Sequence, residues 1–450
     1  MESALVLGML AIAAAAGVAA VRRGASWHDI EQATGQQLAR VLPALLVLLA
    51  IGLLIGTWML SGTIPLLVAW GVRLVDPAWL ALTAFLAAAL MSTTTGTSWG
   101  SAGTIGVAMM GTAAALGVPL PLVAGAVISG AYFGDKMSPL SDTTIVAAVA
   151  AETDVYAHIR AMTHTVGPSF VIAVLVFAWL GGGTATTSTT DARAFADELA
   201  TTFVLHPVVL LPPVIVLIAV MRRVPSAIAI VASAAVAMAL AILLQGATPA
   251  QIAEAGVRGV TLELVQAIGH APERGGDTAR APSAALTRLV ERGGMRAMTP
   301  TLLIVFAAFL MTGALQVAGA LDALLARLLA LARHAFGLVA VTMAAGLLTV
   351  GLTSHASVTM LVVGGLVRDA FVARALPATL LSRSLEDSVT ITEVLLPWTV
   401  SGVFMAGTLG VPTLAYAPYA VFCWAGPLCS LTLAALGWWP SEARRSQAAT

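Results

Sequence analysis

Long apolar runs alternate with short polar ones along the whole chain. Runs at 3–21, 41–60, 77–95, 165–181, 203–221, 225–244, 299–317, 336–353 and 412–436 each reach spanning length. A hydrocarbon slab of about 30 Å needs roughly 17–25 apolar residues in a helix. Shorter runs at 64–75, 99–117, 121–134, 143–150, 355–367 and 395–409 fill the intervals. Several are bounded by Gly, Pro, Ser, Thr and acidic residues, the sequence appearance of broken helices or re-entrant hairpins. The runs are continuous rather than alternating, which excludes a membrane β-barrel. The pattern predicts an all-α polytopic membrane protein with about ten to twelve transmembrane segments, since lipid admits only helices and closed barrels.

Composition agrees. Of 450 residues, 59% are hydrophobic and 10% charged, where a soluble domain carries about 25% charged residues. So few charges cannot cover a soluble core of this size, which excludes a soluble enzyme, a disordered chain and a nucleic-acid binder. The 22 basic and 22 acidic residues balance and create no net field. Cys423 and Cys429 lie in one apolar stretch, suiting neither a disulfide framework nor a metal site. They read as lipid- or core-facing fillers.

Residues 3–21 end in small residues as a signal peptide does, but Arg22 and Arg23 follow the run instead of preceding it. The expectation is a retained first span with its N-terminus outside. Polar residues 182–202 read as a connector between a first repeat at 1–181 and a second at 203–440. The second holds a polar loop at 246–298, whose Gly-rich stretch Pro272–Gly276 is expected to be flexible. Residues 441–450 form a polar tail. By charge the loop reads as cytoplasmic and Arg222-Arg223 argues for the same side, yet the single span 225–244 separates them. The positive-inside rule therefore does not fix the topology.

The two halves carry related clusters. Thr95-Gly96-Thr97-Ser98-Trp99-Gly100 precedes Ser138-Pro139-Leu140-Ser141-Asp142-Thr143-Thr144. Gly351-Leu352-Thr353-Ser354-His355 precedes Ser384-Leu385-Glu386-Asp387-Ser388-Val389-Thr390. The interval from Gly96 to Asp142 is 46 residues and from Gly351 to Asp387 it is 36, so Asp387 mirrors Asp142. Interrupted helices at matching places in two halves point to a transporter site.

Asp135, Lys136 and Asp142 stand between two apolar half-runs, where each charge costs at least about 2.5–3.5 kcal/mol unless paired or wetted. Lys136 is the one Lys in the chain. An ammonium is a compact charge that can deprotonate on burial, whereas guanidinium stays charged. Asp142 reads as a helix N-cap and as a ligand for a hard cation, which takes carboxylate, hydroxyl and freed backbone oxygens. Ser141, Thr143 and Thr144 supply the hydroxyls. Asp135 either neutralises a cation structurally or binds the ion; it meets Lys136 directly only if the helix unwinds, because neighbours point about 100° apart. Asp387 is a ligand or a structural pair. Glu386 is either the i, i+3 partner of Arg383 or a solvated helix end. Glu393 shares a face with Glu386 if the helix is continuous, and is a further ion or proton site with Asp387 as its partner. Thr97, Ser98, Ser138, Thr353, His355, Ser388 and Thr390 are supporting candidates, although a lone membrane His such as His355 is often only hydrogen-bonded in the core. His158 and His164, six apart near Glu152 and Asp154, match no zinc signature. Trp398 and Met109-Met110 read as packing. No phosphate loop, dinucleotide fingerprint or nucleophile elbow is present.

With these residues in view, the chain resembles the NhaC-type sodium/proton antiporters of the ion transporter superfamily. The stretch Ile128-Ser-Gly-Ala-Tyr-Phe-Gly-Asp-Lys-Met-Ser-Pro-Leu-Ser-Asp-Thr-Thr144 carries the match. Gly96-Thr-Ser-Trp-Gly100, Leu381-Ser-Arg-Ser-Leu-Glu-Asp-Ser388, Leu396-Pro-Trp398 and Leu409-Gly-Val-Pro-Thr-Leu414 support it in order. The chain departs at Ile145, where the family has Asn. It departs again at Thr353-Ser-His-Ala-Ser357, in place of an acidic stretch, and at Glu393-Val394, in place of Ser-Pro. The resemblance implies two inverted repeats, elevator-like motion, and secondary exchange of Na⁺ for H⁺ at carboxylates, with Asp142 and Asp387 as the Na⁺ ligands. It implies a role in pH homeostasis, a bacterial cell (inner) membrane location, and Na⁺, H⁺ and the lipid bilayer as partners, with Li⁺ and a homodimer as further candidates. No cofactor, enzymatic activity or nucleic acid is expected. Exchange of small organic acids of the malate/lactate type, anchored by Lys136 or Arg383, is the alternative. A channel would not need two broken-helix sites, and an intramembrane enzyme would need a nucleophile or metal constellation.

Overall fold

The computed structural model describes residues 2–182, 189–222, 224–268, 282–330, 332 and 334–438. Arg223, the Pro272–Gly276 stretch, residues 183–188 of the expected connector and the 441–450 tail lie outside the described residues. Helices α1 (Glu2–Arg22), α2 (Trp27–Leu60), α3 (Thr63–Leu74) and α4 (Leu80–Thr95) lead to a break at Gly96 and Thr97. α5 (Ser98–Ser101) runs through a π turn into α6 (Val107–Leu116), followed by α7 (Leu120–Met137), α8 (Asp142–Ala150) and α9 (Val155–Gly181). Next come α10 (Thr189–Thr202), α11 (Leu211–Met221), α12 (Ser226–Gln245), α13 (Pro249–Val257), α14 (Leu262–Ala267) and α15 (Ala284–Val290). The described chain ends with α16 (Thr299–Val317), α17 (Ala320–Leu329), α18 (Ala335–Thr353), α19 (Ala356–Val372), α20 (Ala378–Ser388), α21 (Thr390–Glu393), α22 (Val400–Leu409), α23 (Thr413–Tyr416) and α24 (Val421–Ala435).

The fold is all-α, with no strand among the described residues. Seven described helices are long and apolar enough to cross a membrane, or up to nine if each bent pair is one span. That is below the ten to twelve expected; the difference lies in helices too short to span alone, such as Thr63–Leu74 and Val421–Ala435. The expected span at 203–221 is helical from Pro207 to Met221 and meets the preceding helix, Arg193–Thr202, at a bend of 100°. The expected span at 412–436 is divided between α23 and α24. Large apolar side chains such as Leu90, Leu175, Trp179 and Leu243 lie exposed on the outer faces, as lipid contact requires.

Corresponding landmarks recur 258 residues apart. α7 and α20 start at Leu120 and Ala378, each behind a proline. α8 and α22 start at Asp142 and Val400, each capped by a hydroxyl, Ser141 or Thr399. The breaks before α5 and α19 each place one residue in the left-handed region, Gly96 at φ +71° and Ser354 at φ +57°. Gly96 adopts it freely. Ser354 is held there by its surroundings, and its carbonyl accepts the Val400 N–H at 3.1 Å.

Candidate ion-binding site

α7 is pressed hard against α4. A Cβ on Gly130 would lie 2.1 Å from the Phe85 carbonyl oxygen, and one on Gly134 would lie 2.4 Å from the Thr93 nitrogen. These glycines, four residues apart, permit the close backbone approach that small residues give membrane helices. The packing carries the last turn of α7 into the bundle centre with Asp135 and Lys136 buried. As neighbours on an intact helix they diverge. Asp135 Oδ2 accepts from the Ser98 hydroxyl at 2.8 Å. Lys136 Nζ pairs instead with Asp387 Oδ1 of α20, and both side chains are fully buried.

α20 is buried along its length from Thr379 to Ser388. The Thr165 hydroxyl of α9 donates to Asp387 Oδ1 at 3.3 Å. Asp387 Oδ2, Asp135 Oδ1, both Glu386 oxygens, and Nε and Nη2 of Arg383 are buried without a hydrogen-bond partner. Each such atom costs about 1–3 kcal/mol, more when charged, so the concentration of them here marks a place for an ion or water.

Two carboxylates sit on helix N-termini, where unpaired N–H groups and the helix dipole favour negative charge. Asp135 faces the start of α5 at Ser98. Glu393 faces the Ala356 N–H at the start of α19, and its Oε1 accepts the Ser401 N–H of α22 at 3.3 Å. The interval is 37 residues in both halves, from Ser98 to Asp135 and from Ala356 to Glu393.

The structure thus gathers Asp135, Lys136, Glu386 and Asp387 at one buried centre, with Glu393 buried on the helix ends beside it. Asp142 is not among the buried groups. It is exposed at the start of α8, within charge range of Asp135 and Glu393. The N-cap role falls to Ser141, and Asp142, one position later, is exposed. Thr143 is half-buried, and its hydroxyl meets that of Ser141 at 3.0 Å. Thr144 is buried and donates to the Asp135 carbonyl oxygen at 3.2 Å. At the 258-residue interval Asp135 falls with Glu393 and Asp142 with Val400. Glu386 is neither a solvated helix end nor bridged to Arg383: both lie in the interior, unjoined. Glu393 does not partner Asp387, which Lys136 and Thr165 engage. α20 and α21 are separated at Val389, so Glu386 and Glu393 share no continuous face.

Most supporting candidates stabilise backbone. Thr97 accepts the Gly100 N–H at 3.2 Å, and Ser138 accepts the Leu140 N–H at 3.4 Å. Ser388 donates to the Ser384 carbonyl at 2.7 Å. Thr353 and Thr359 hydroxyls meet at 2.6 Å. Thr390 lies beside Glu386, and His355 is half-buried at the second break. Trp398 is more than packing: its Nε1 donates to the Gly351 carbonyl at 2.8 Å and braces that break. Sequence reasoning missed His158 and Thr165. Their signal is a buried polar stripe on α9 at 158, 165 and 169, spaced for one helix face, opposite exposed Val171, Leu175 and Trp179.

Residues 130–438, which include both acidic clusters, match the Na⁺/H⁺ antiporter family model. The chain belongs to that family. The Na⁺/H⁺ antiporter NhaC of Alkalihalophilus pseudofirmus is 34% identical over 411 residues, 91% of this chain and 86% of that protein. An uncharacterized Na⁺/H⁺ antiporter of Haemophilus influenzae is 38% identical over 427 residues, 94% and 88% of the two chains. A malate-2H⁺/Na⁺-lactate antiporter of Bacillus subtilis is 32% identical over 401 residues, 89% and 82%. Family and apolar helices together make this antiporter a multi-pass membrane transporter, a class distinct from enzymes, with Na⁺ and H⁺ as the ions the family exchanges.

Proposed function

We propose that this protein exchanges Na⁺ for H⁺ in the bacterial cell (inner) membrane because both compete for the buried carboxylates around Lys136. The observation that carries the reading is the Lys136–Asp387 pair between α7 and α20, set among unpartnered oxygens of Asp135, Glu386 and Asp387. When all are ionised, these three carboxylates exceed the charges of Lys136 and Arg383 by one. A single Na⁺ or a single proton balances the set. An unbalanced buried charge is strongly disfavoured, so the empty, deprotonated site resists passage through the membrane centre while the loaded site moves. That restriction yields exchange without ATP. Glu393, seated on two helix ends, and Asp142, exposed at the start of α8, guide the cation inward. The 258-residue recurrence is read as two pseudo-symmetric repeats whose broken helices meet at this centre.

Arg383 favours a second reading. Two of its buried donors lack partners, and a guanidinium fork matches a carboxylate, so a small organic acid is the alternative cargo. One assay separates the two. Purified protein is reconstituted into proteoliposomes and internal pH is followed after pulses of Na⁺, Li⁺, K⁺, malate or lactate. Proton movement driven by Na⁺ and not by K⁺, without organic acid, is the expected result. Proton movement that requires malate or lactate would replace this reading with the second.

A further inference from the structure

α9 and α20 lead from the Lys136–Asp387 pair toward the end of α8 opposite Asp142. α8 spans nine residues from Asp142, a rise of about 13 Å, before the turn bearing Glu152. Glu152 ion-pairs with Arg368 of α19, and α9 begins just beyond. One turn into α9, His158 is fully buried. Its Nδ1 lies 2.8 Å from the Ser382 hydroxyl oxygen. Ser382 donates its own proton to the Thr379 carbonyl oxygen at 3.1 Å. The hydroxyl therefore accepts from the ring, Nδ1 carries the imidazole proton, and Nε2 is a bare lone-pair nitrogen. That nitrogen is buried with no partner.

It is not alone. Thr379 Oγ1, Arg383 Nε and Nη2, both Glu386 oxygens and Asp387 Oδ2 are likewise buried and unpartnered. Positions 379, 382–383 and 386–387 recur at helical spacing, so they share one face of α20. They run from near its start to the Lys136–Asp387 pair. The residue 258 positions after His158 is Tyr416, whose hydroxyl donates to the Val394 carbonyl at 2.7 Å. The second half fills the same place with a satisfied group, so the orphaned nitrogen is peculiar to the His158 side.

We infer that His158 is the proton-transfer residue of the site, passing protons between the end of α8 opposite Asp142 and the Glu386–Asp387 carboxylates. A proton arriving at Nε2 converts the imidazole to imidazolium. When Na⁺ has left, the ring returns to neutral as one carboxylate becomes a carboxylic acid. Na⁺ does not use this path. The titratable and charged groups facing this interior are Tyr132, Asp135 and Lys136 from α7, Arg383, Glu386 and Asp387 from α20, and Cys423 from α24. α4 contributes none, and α8 only Asp142 at its far end. On α9 itself Tyr156 and Arg160 are exposed and His164 is half-buried, and its N-cap Asp154 is exposed.

The inference rests on the Na⁺/H⁺ reading, and the test separates the two. Proteoliposomes holding wild type or His158→Gln are assayed for Na⁺-driven proton movement and for exchange of radioactive Na⁺ against unlabelled Na⁺. Gln can keep the Ser382 contact but cannot titrate. The expected result is a loss of Na⁺/H⁺ exchange of about a hundredfold, the low end for a lost positioned acid–base group, with Na⁺/Na⁺ exchange within about twofold of wild type. A parallel fall in both exchanges, or no change in either, overturns the role of His158. A wild type that moves no protons with Na⁺ overturns the Na⁺/H⁺ reading instead. If His158→Gln does not fold, Ser382→Ala retains the ring and removes its partner. It is expected to move the pH optimum of Na⁺/H⁺ exchange by about one unit, the scale of one hydrogen bond on a proton equilibrium. An unmoved optimum overturns the inference.

Discussion

Removing either member of the Lys136–Asp387 pair should harm the fold more than removing both. The two side chains are fully buried. Lys136→Met strips the ammonium from Asp387, leaving its carboxylate with only the Thr165 hydroxyl at 3.3 Å. An unpaired buried charge of this kind costs about 3–5 kcal/mol. Asp387→Leu strands the ammonium at similar cost. The double variant exchanges the pair for two apolar side chains, and such replacements are commonly neutral or stabilising by about 1–4 kcal/mol. The deficits should therefore cancel rather than add. The assay is detergent-titrated unfolding of purified protein, read by tryptophan fluorescence. All three variants should be silent in transport. Additive losses in the double variant, each near its single-variant value, would refute the pairing and reduce both residues to independent core positions.

Four further outcomes follow from the geometry. Lys136→Arg should lose the wild-type pH profile of exchange, since guanidinium is larger, planar and does not deprotonate; a retained profile means only the charge matters. Glu393→Gln removes a titratable group seated on two helix ends, so the activity optimum should move along the pH axis rather than only fall in height; an unmoved optimum with unchanged Na⁺ affinity takes Glu393 out of the site. Asp142→Asn, at the exposed start of α8, should weaken apparent Na⁺ affinity by about two- to fivefold, most at low ionic strength, with the maximal rate largely kept; complete loss of exchange would mean Asp142 moves inward as a ligand. Gly130→Ala should destabilise by about 1–3 kcal/mol through overpacking against α4, whereas Gly167→Ala, with nothing within 4 Å of its Cβ, should not; equal thermal stability of the two would reject the close-packing account.

Much of the architecture was legible because lipid imposes it. Apolar runs at 225–244, 299–317 and 336–353 became helices within a residue or so of their predicted ends. The runs at 203–221 and 412–436 were less legible because hydropathy registers length and polarity but not direction: each meets the helix before it at a sharp bend, and the second is divided between α23 and α24. The first cluster was also legible, since three ionisable groups between half-runs have few structural explanations. Half of its signature is packing, however: Gly130 and Gly134 serve the approach to α4.

The 37-residue interval shared by Ser98 to Asp135 and Ala356 to Glu393 is marked by backbone landmarks, paired helix starts and two left-handed residues, rather than by residue identity. Asp142 looked central because Ser-Asp-Thr-Thr carries the oxygens a cation wants, but a one-residue shift in the cap turned its side chain outward. His158 was legible only as half of a His158/His164 pair whose spacing matches no zinc signature, whereas the helix turns it inward toward Ser382.

If Na⁺ and H⁺ compete for the same buried carboxylates, Na⁺ binding must release protons. Purified protein in detergent and weak buffer is titrated with NaCl against a KCl control, while a pH dye counts protons released and radioactive Na⁺ counts ions bound. The account predicts about one proton released per Na⁺ bound at a pH where the site is protonated, as charge balance at the site requires. It also predicts no coupled release in Asp387→Asn or Glu386→Gln. Na⁺ binding by the wild type without proton release across the pH range, or release unchanged in both variants, would contradict it.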